Sequence, residues 1–356
     1  MTRVLISRLI QFPVIMAVIF LVTFTMAWIV PGNPLENAEG RRPPPEIAAA
    51  MARQYHLDSS TGFLVNYLKG LTLGSQEHRA NYDTSSVGAA VSSYFRLLIE
   101  GSDGYRPPYF GPSLQHRDLT VNAIIGQGLP VSMMLGTAAI IVALIIGLMA
   151  GIIGALKPGS PLDLASLIVA LVGVSLPSFV IGSVLLVVFV GMWQLAPVGG
   201  WEWPGWEIWT PYWWQDTAEM LRKLILPAIT LGLAPAAYIA RLIRLGLADV
   251  MSSDFIRTAR AKGLSTHEAL FRHALKVAFL PVLSFLGPAA AAAMTGSFVV
   301  EKVFNIPGLG KDFVFAVLNK DQFLILGLVL TYSTILIIFN MLVDIAYAWV
   351  DPRIEL

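Results

Sequence analysis

Six stretches of this 356-residue chain hold no charged residue and approach or exceed the length that crosses hydrocarbon. They cover residues 9–30, 129–156, 164–192, 224–240, 277–300 and 323–343. A helix needs about 17–25 apolar residues for one crossing, at about 1.5 Å of rise per residue. Backbone polar groups find no water in lipid, so isolated spans must satisfy them internally, as helices. The prediction is an all-α, polytopic membrane protein with six transmembrane helices. Composition agrees: 56% of residues are hydrophobic and 13% charged, against roughly 25% charged in a soluble domain. The second and third runs exceed the needed length, and the fourth carries Pro227 and Pro235, which predicts a bend.

The first run follows Arg3 and Arg8 but is too long for the apolar part of a secretion signal. No small-x-small site precedes Pro31-Gly32, so it reads as an uncleaved span. Lysine and arginine in short loops set the orientation. With a cytoplasmic N-terminus, the inner segments carry Arg3, Arg8, Lys157, Arg241, Arg244, Arg257, Arg260, Lys262, Arg272, Lys276 and Arg353. The short outer loops then carry Arg222, Lys223, Lys302, Lys311 and Lys320. Eleven against five puts both termini in the cytoplasm.

The organisation that follows has four parts. Residues 1–30 form the N-terminal segment and first span, and 31–128 a large extracytoplasmic loop or small domain. A five-helix core covers 129–350 with a cytoplasmic loop at 241–276, and 351–356 is a cytoplasmic tail. Within the outer loop, residues 45–54 predict a short helix opening on proline, with Ile47, Met51 and Tyr55 near one face. Residues 101–112 read as irregular. A second outer segment, 193–214, holds seven of the nine tryptophans, a composition that suits an anchor at the membrane surface or a docking platform.

What the spans lack excludes several functions. Ion-coupled carriers keep ionisable side chains in the membrane, and these six runs hold none; the five histidines all lie elsewhere. Sodium binding through backbone carbonyls stays open. With no cysteine, disulfides, thiolate metal sites and cysteine nucleophiles are excluded. The net charge of +1 speaks against nucleic acid as a partner. Gly310-Lys311 is the nearest approach to a phosphate-binding loop, but Asp312 stands where Ser or Thr is needed. His267-Glu268 opens like a zinc-protease helix, yet Phe271 holds the second histidine's place. No cofactor, metal or catalytic site is therefore expected in this chain, and uphill transport would draw its energy from another polypeptide.

The loop at 241–276 is the most specific segment. Residues 251–263 predict a helix ending at Gly263, with Arg257, Arg260 and Lys262 toward its C-terminus, where cations suit the dipole. Ser265 and Glu268 form a capping box that opens a second helix, read as running to Pro281. Ala259, Ala261 and Gly263 alternate with the cations, so the loop presents small and basic residues that could seat in a cleft; a basic inner loop obeying the charge rule is the plainer reading.

The order of these residues is more telling than their composition. Arg257-Thr-Ala-Arg-Ala-Lys-Gly-Leu264, then Arg272-His-Ala-Leu-Lys276 and Leu280-Pro281, resembles the EAA loop of membrane subunits of binding-protein-dependent ABC importers. The likeness extends to Gly111-Pro-Ser113 with Arg117-Asp118, Leu129-Pro-Val-Ser132, Ser175-Leu-Pro-Ser178 and Leu226-Pro227. It continues in Gly296 through Glu301, Phe304-Asn-Ile-Pro-Gly-Leu-Gly310, Leu342-Val-Asp344 and Asp351-Pro-Arg353. The whole set is similar to the oligopeptide/dipeptide permease family, nearest its B-type subunits. Arg257 and Thr258 replace the Glu-Ala that names the loop, a departure usual in the peptide branch. The outer loop has extra residues within 75–108.

The resemblance implies an ABC type I importer bundle in the bacterial cytoplasmic (inner) membrane, importing peptides. It implies a second homologous permease subunit, two cytoplasmic ABC ATPases that hold ATP and Mg, and an extracytoplasmic peptide-binding protein. It makes Arg257, Thr258, Ala259, Arg260, Ala261, Lys262, Gly263, Leu264, Ser265 and Glu268 the ATPase-coupling loop. Candidates for the translocation path are Ser175, Pro177 and Ser178, which would break the third span, with Tyr238, Thr295, Ser297, Tyr332 and Ser333. Each hydroxyl is also a candidate packing group. Asp344, near the inner end of the last run, calls for a basic partner, Arg241 or Arg244. The competing reading is a membrane scaffold or sensor that binds a ligand through its outer loop and transports nothing.

Overall fold

The computed structural model describes residues 2–30, 32–36, 43–73, 108–116, 119–197, 200 and 213–350. The expectations at Arg117-Asp118, at the extra outer-loop residues through 107, at most of the tryptophan segment and at 351–356 fall outside them. Helices dominate what is described, and no strand occurs among the described residues beyond an isolated bridge of Pro112 with Thr120. In chain order they are α1 (Thr2–Ile29), α2 (Pro45–Gln54), α3 (Ser60–Leu73), α4 (Val121–Leu156), α5 (Pro161–Ser175) and α6 (Ser178–Met192). They continue with α7 (Trp213–Met251), α8 (Asp254–Ala261), α9 (Thr266–Ala278), α10 (Leu280–Met294), α11 (Phe298–Val303), α12 (Leu309–Leu318) and α13 (Gln322–Val350).

Among the described residues four, α1, α4, α7 and α13, are long and apolar enough to cross a membrane, and the bent pair α9–α10 passes the same test only when its two helices are taken together. The third and fifth charge-free runs are not single helices. The third ends at Ser175, passes through extended Leu176 and Pro177, and restarts at Ser178. The reason is local: Pro177 has no N–H for the carbonyl four residues back, and its ring disfavours helix in the residue before it. The fifth run ends as helix at Met294 and restarts at Phe298, through Gly296 at φ +90°. The fourth run forms one helix through both prolines, within a 39-residue α7.

Two compact units divide the chain. One comprises residues 11–131 and 308–334. Its core is aromatic: Phe63 lies 4.8 Å from the Phe323 ring, and Phe20 stacks on Tyr67 at 5.6 Å. A buried carboxylate ties three segments together there. Asp321 accepts from the Ser113 hydroxyl at 2.5 Å and from the backbone N–H of Leu114 and Leu324, while Gln115 donates its amide to the carbonyls of Pro34 and Asn319. The Gly111-Pro-Ser113 motif thus supplies the hydroxyl that holds the start of α13.

The other unit comprises residues 1–10, 132–307 and 335–356. Lipid removes the hydrophobic drive between helices, so close packing and small residues decide which helices meet. Gly147 and Gly151, four apart on α4, do this against α7: a β-carbon on either would fall 2.7 Å from Ile239 or Ile243 and 2.8 Å from a backbone carbonyl. Ser132 on α4 donates to buried Glu301 on α11 at 2.9 Å, which gives that carboxylate a polar partner where desolvation would penalise it.

Candidate functional site: a cationic loop beside a broken-helix cavity

The loop that leaves α7 folds as two short helices around a glycine turn. α8 runs from Asp254 to Ala261, capped by Lys262, and the Gly263 N–H reaches the Arg260 carbonyl at 2.9 Å. Gly263 sits at φ +94°, the left-handed region that suits glycine at a helix C-terminus. A β-carbon there would meet nothing within 4 Å, so conformation and not space selects the residue. Ser265 then caps α9 as expected: its hydroxyl accepts the Glu268 N–H at 3.2 Å, and Glu268 accepts the Ser265 N–H at 3.0 Å. The Ser265 N–H, and the Ser265 hydroxyl at 2.9 Å, both donate to the exposed Glu268 carboxyl and hold it below its ordinary range.

One side chain anchors α8. Ile256 is fully buried against a cluster that includes Leu247, Ala269, Leu270 and Ala274. The rest of the helix is largely open: Arg257 is 74% exposed and pairs only loosely with Asp254 at 3.5 Å, and Arg260 and Lys262 are exposed with it. Thr258, Ala259 and Ala261 complete the helix, and Leu264 leads into the cap. A helix pinned at one apolar residue, with its cations exposed, is built to meet something acidic or concave.

The second helix does not reach Pro281. α9 winds into a π-helical turn over Leu270–Ala274, ends at Ala278, and bends 52° into α10. Pro281 sits in the first turn of α10, where its missing N–H is harmless; in a continuous helix its ring would clash with the Val277 carbonyl.

In the same compact unit as this loop, α5, α6, α7 and α10 line an open cavity of about 480 Å³. Among the described residues, no charged side chain lines it. Ser178, Tyr238 and Ser297 reach its wall, and Tyr238 stacks on Phe285 at 5.5 Å. The helix breaks open onto it as well, through Leu176 and Gly296. Pro177 offers no N–H to the Gly173 carbonyl, nor Pro235 to that of Leu231, and both Gly173 and Leu231 are wall residues. Ser175 and Pro177 make the break without lining the cavity, and Thr295 turns its hydroxyl to the Ala292 carbonyl at 3.1 Å. Tyr332 and Ser333 belong to the other compact unit, where they donate to the carbonyls of Leu309 and Val329.

Of the cations expected for Asp344, Arg244 makes a salt bridge to Asp163, at 3.0 Å. Sequence reasoning missed Asp163, although Ser160-Pro-Leu-Asp163 is an N-terminal helix signature. The Ser160 hydroxyl does accept the Asp163 N–H, at 3.1 Å.

Known proteins match this chain throughout. The model of the family described as binding-protein-dependent transport system inner membrane component covers residues 143–356, and that of its N-terminal membrane component covers 1–95. The oligopeptide transport system permease protein OppB of Salmonella typhimurium is 36% identical over 338 residues, 95% of this chain and 94% of that one. The dipeptide transport system permease protein DppB of Bacillus subtilis is 34% identical over 357 residues, 100% of this chain and 99% of that one. A solved amino acid ABC transporter with histidines matches at TM-score 0.43 and 17% identity over 72% of this chain and 95% of that one, too slight a likeness to argue from. With two family models on its two parts and a third of its residues shared with relatives of its own length, this chain belongs to the inner membrane components of binding-protein-dependent transport systems.

Proposed function

We propose that this chain is one permease subunit of an ATP-driven peptide importer and forms half of its translocation path. The observation that carries the reading is its similarity to oligopeptide and dipeptide permease proteins, about a third identical over nearly the whole chain. In this proposal Arg257 through Leu264 seat in a groove of a partner ATPase, which holds ATP and Mg. A second, homologous permease completes the path, and an extracytoplasmic binding protein delivers the peptide. The six spans are the four long helices, the run around α10 and the broken α5–α6 pair, with α9 in the cytoplasmic loop and both termini in the cytoplasm.

The exposed cations and the single apolar anchor of α8 support the docking role. The uncharged cavity supports a path for varied peptides, with selection left to the binding protein. Ser178, Tyr238 and Ser297 line that path and Ser175 and Pro177 open it, while Thr295, Tyr332 and Ser333 pack. ATP closing the ATPase pair would draw two such loops together and switch the path between its inward and outward states. The test is uptake of labelled oligopeptides by vesicles holding the assembled complex. Accumulation that needs both ATP and the binding protein is expected; accumulation by this chain alone would overturn the proposal.

A further inference from the structure

We propose that Asp163 and Arg244 are positioning residues that make α5 follow the loop end of α7, so that movement of the 254–278 loop reaches the cavity wall. The inference rests on the transport reading above. Arg244 lies on α7 between Ile243 and Leu247, both fully buried in the cluster that also holds Ile256 of α8. What moves α8 therefore moves this stretch of α7. From the same stretch the Arg244 guanidinium reaches Asp163 in the first turn of α5, at 3.0 Å. The same carboxylate oxygen accepts the Gly159 N–H at 2.9 Å, so the α4–α5 turn is held as well. The Asp163 side chain is 3% exposed and that of Arg244 31%. Gly154 of α4 leaves the room: a β-carbon there would stand 2.9 Å from the carboxylate and 3.0 Å from the arginine stem.

Lipid removes the hydrophobic drive between helices, so close packing and polar ties set which helices move together, and an exposed ion pair on a surface contributes little. This pair is different because its carboxylate is buried and also bonded to backbone. At its far end α5 stops at Ser175, and Gly173 and Leu176 face the cavity. The break at Leu176–Pro177 then separates two attachments: α5 is tied to the Arg244 end of α7, while Gly182 of α6 packs against Phe304 and against Thr230, nearer the other end of α7 and on the far side of Pro235. A loop displacement becomes a change in the shape of the cavity.

The experiment uses the complete transporter in proteoliposomes and measures ATP hydrolysed per labelled oligopeptide taken up. Wild-type protein is measured first; absence of ATP-dependent uptake there defeats the transport reading itself. Asp163→Asn and Arg244→Gln are expected to assemble and hydrolyse ATP while the ratio rises about fivefold or more. The double variant should be no worse than either single one, and Arg244→Lys should recover part of the loss. An unchanged ratio in assembled single variants, or effects that simply add, would overturn the inference. Where the single variants fail to assemble, a bridge decides, since the chain has no cysteine of its own. Asp163→Cys with Arg244→Cys, joined by a short bis-maleimide, should couple when bridged; a bridged transporter that stays uncoupled refutes the staple.

Discussion

Gly263 shows how much of the loop's mechanics one residue can hold. Its φ of +94° turns the chain from α8 into the Ser265 cap, and open space surrounds its α-carbon. A substitution is therefore resisted by backbone strain alone. A β-branched residue at such an angle is held at a cost of about 1–3 kcal/mol, which the loop would relieve by re-forming the turn. Gly263→Val is thus expected to insert in the membrane and to lose most ATP-dependent uptake, with α8 displaced from its partner. Gly263→Asn, which tolerates the left-handed region, should retain more. Full uptake by the valine variant, measured in the same vesicles, would mean that the turn does not position α8.

Among the elements, the broken α5–α6 pair offers the sharpest test, because one residue makes the break. Pro177→Ala restores the N–H that the Gly173 carbonyl lacks and permits one helix from Pro161 onward. Removing an interior proline stabilises a helix by about 3 kcal/mol where the surroundings allow it. The expected result is a higher unfolding temperature together with reduced uptake, because the wall at Leu176 would lose its hinge. A variant more stable and fully active would separate the break from transport. The break was legible in Ser175-Leu-Pro-Ser178, and the cap of α9 in Ser265 and Glu268, because proline and capping chemistry act within a few residues. Pro281 marked the end of α9 to within a few residues, but the 52° angle there and the break at Thr295–Ser297 were not legible. Both lie in an apolar run whose hydropathy is the same for one helix or two, and the π turn at Leu270–Ala274 leaves no mark in residue type.

For the whole molecule, hydropathy marked where lipid is the solvent but hid the polar ties of the folded chain. Three buried carboxylates stand just outside the charge-free runs: Asp163 before Leu164, Glu301 after Val300, and Asp321 two residues ahead of Phe323. Their partners Arg244, Ser132 and Ser113 are 81, 169 and 208 residues away, beyond any window read along a sequence. The same hydropathy leaves sidedness to be inferred from lysine and arginine, a bias in loop charge and not a packing fact. Absence of native cysteine makes the inference directly measurable. Ala49→Cys on α2 and Thr266→Cys at the start of α9 each place one exposed thiol on a described helix. In right-side-out vesicles a membrane-impermeant maleimide is expected to label Ala49→Cys at once and Thr266→Cys only after the membrane is opened. Labelling of Thr266→Cys from outside would turn the cationic loop away from the cytoplasm, where ATP is, and no peptide likeness could then make α8 the seat of an ATPase.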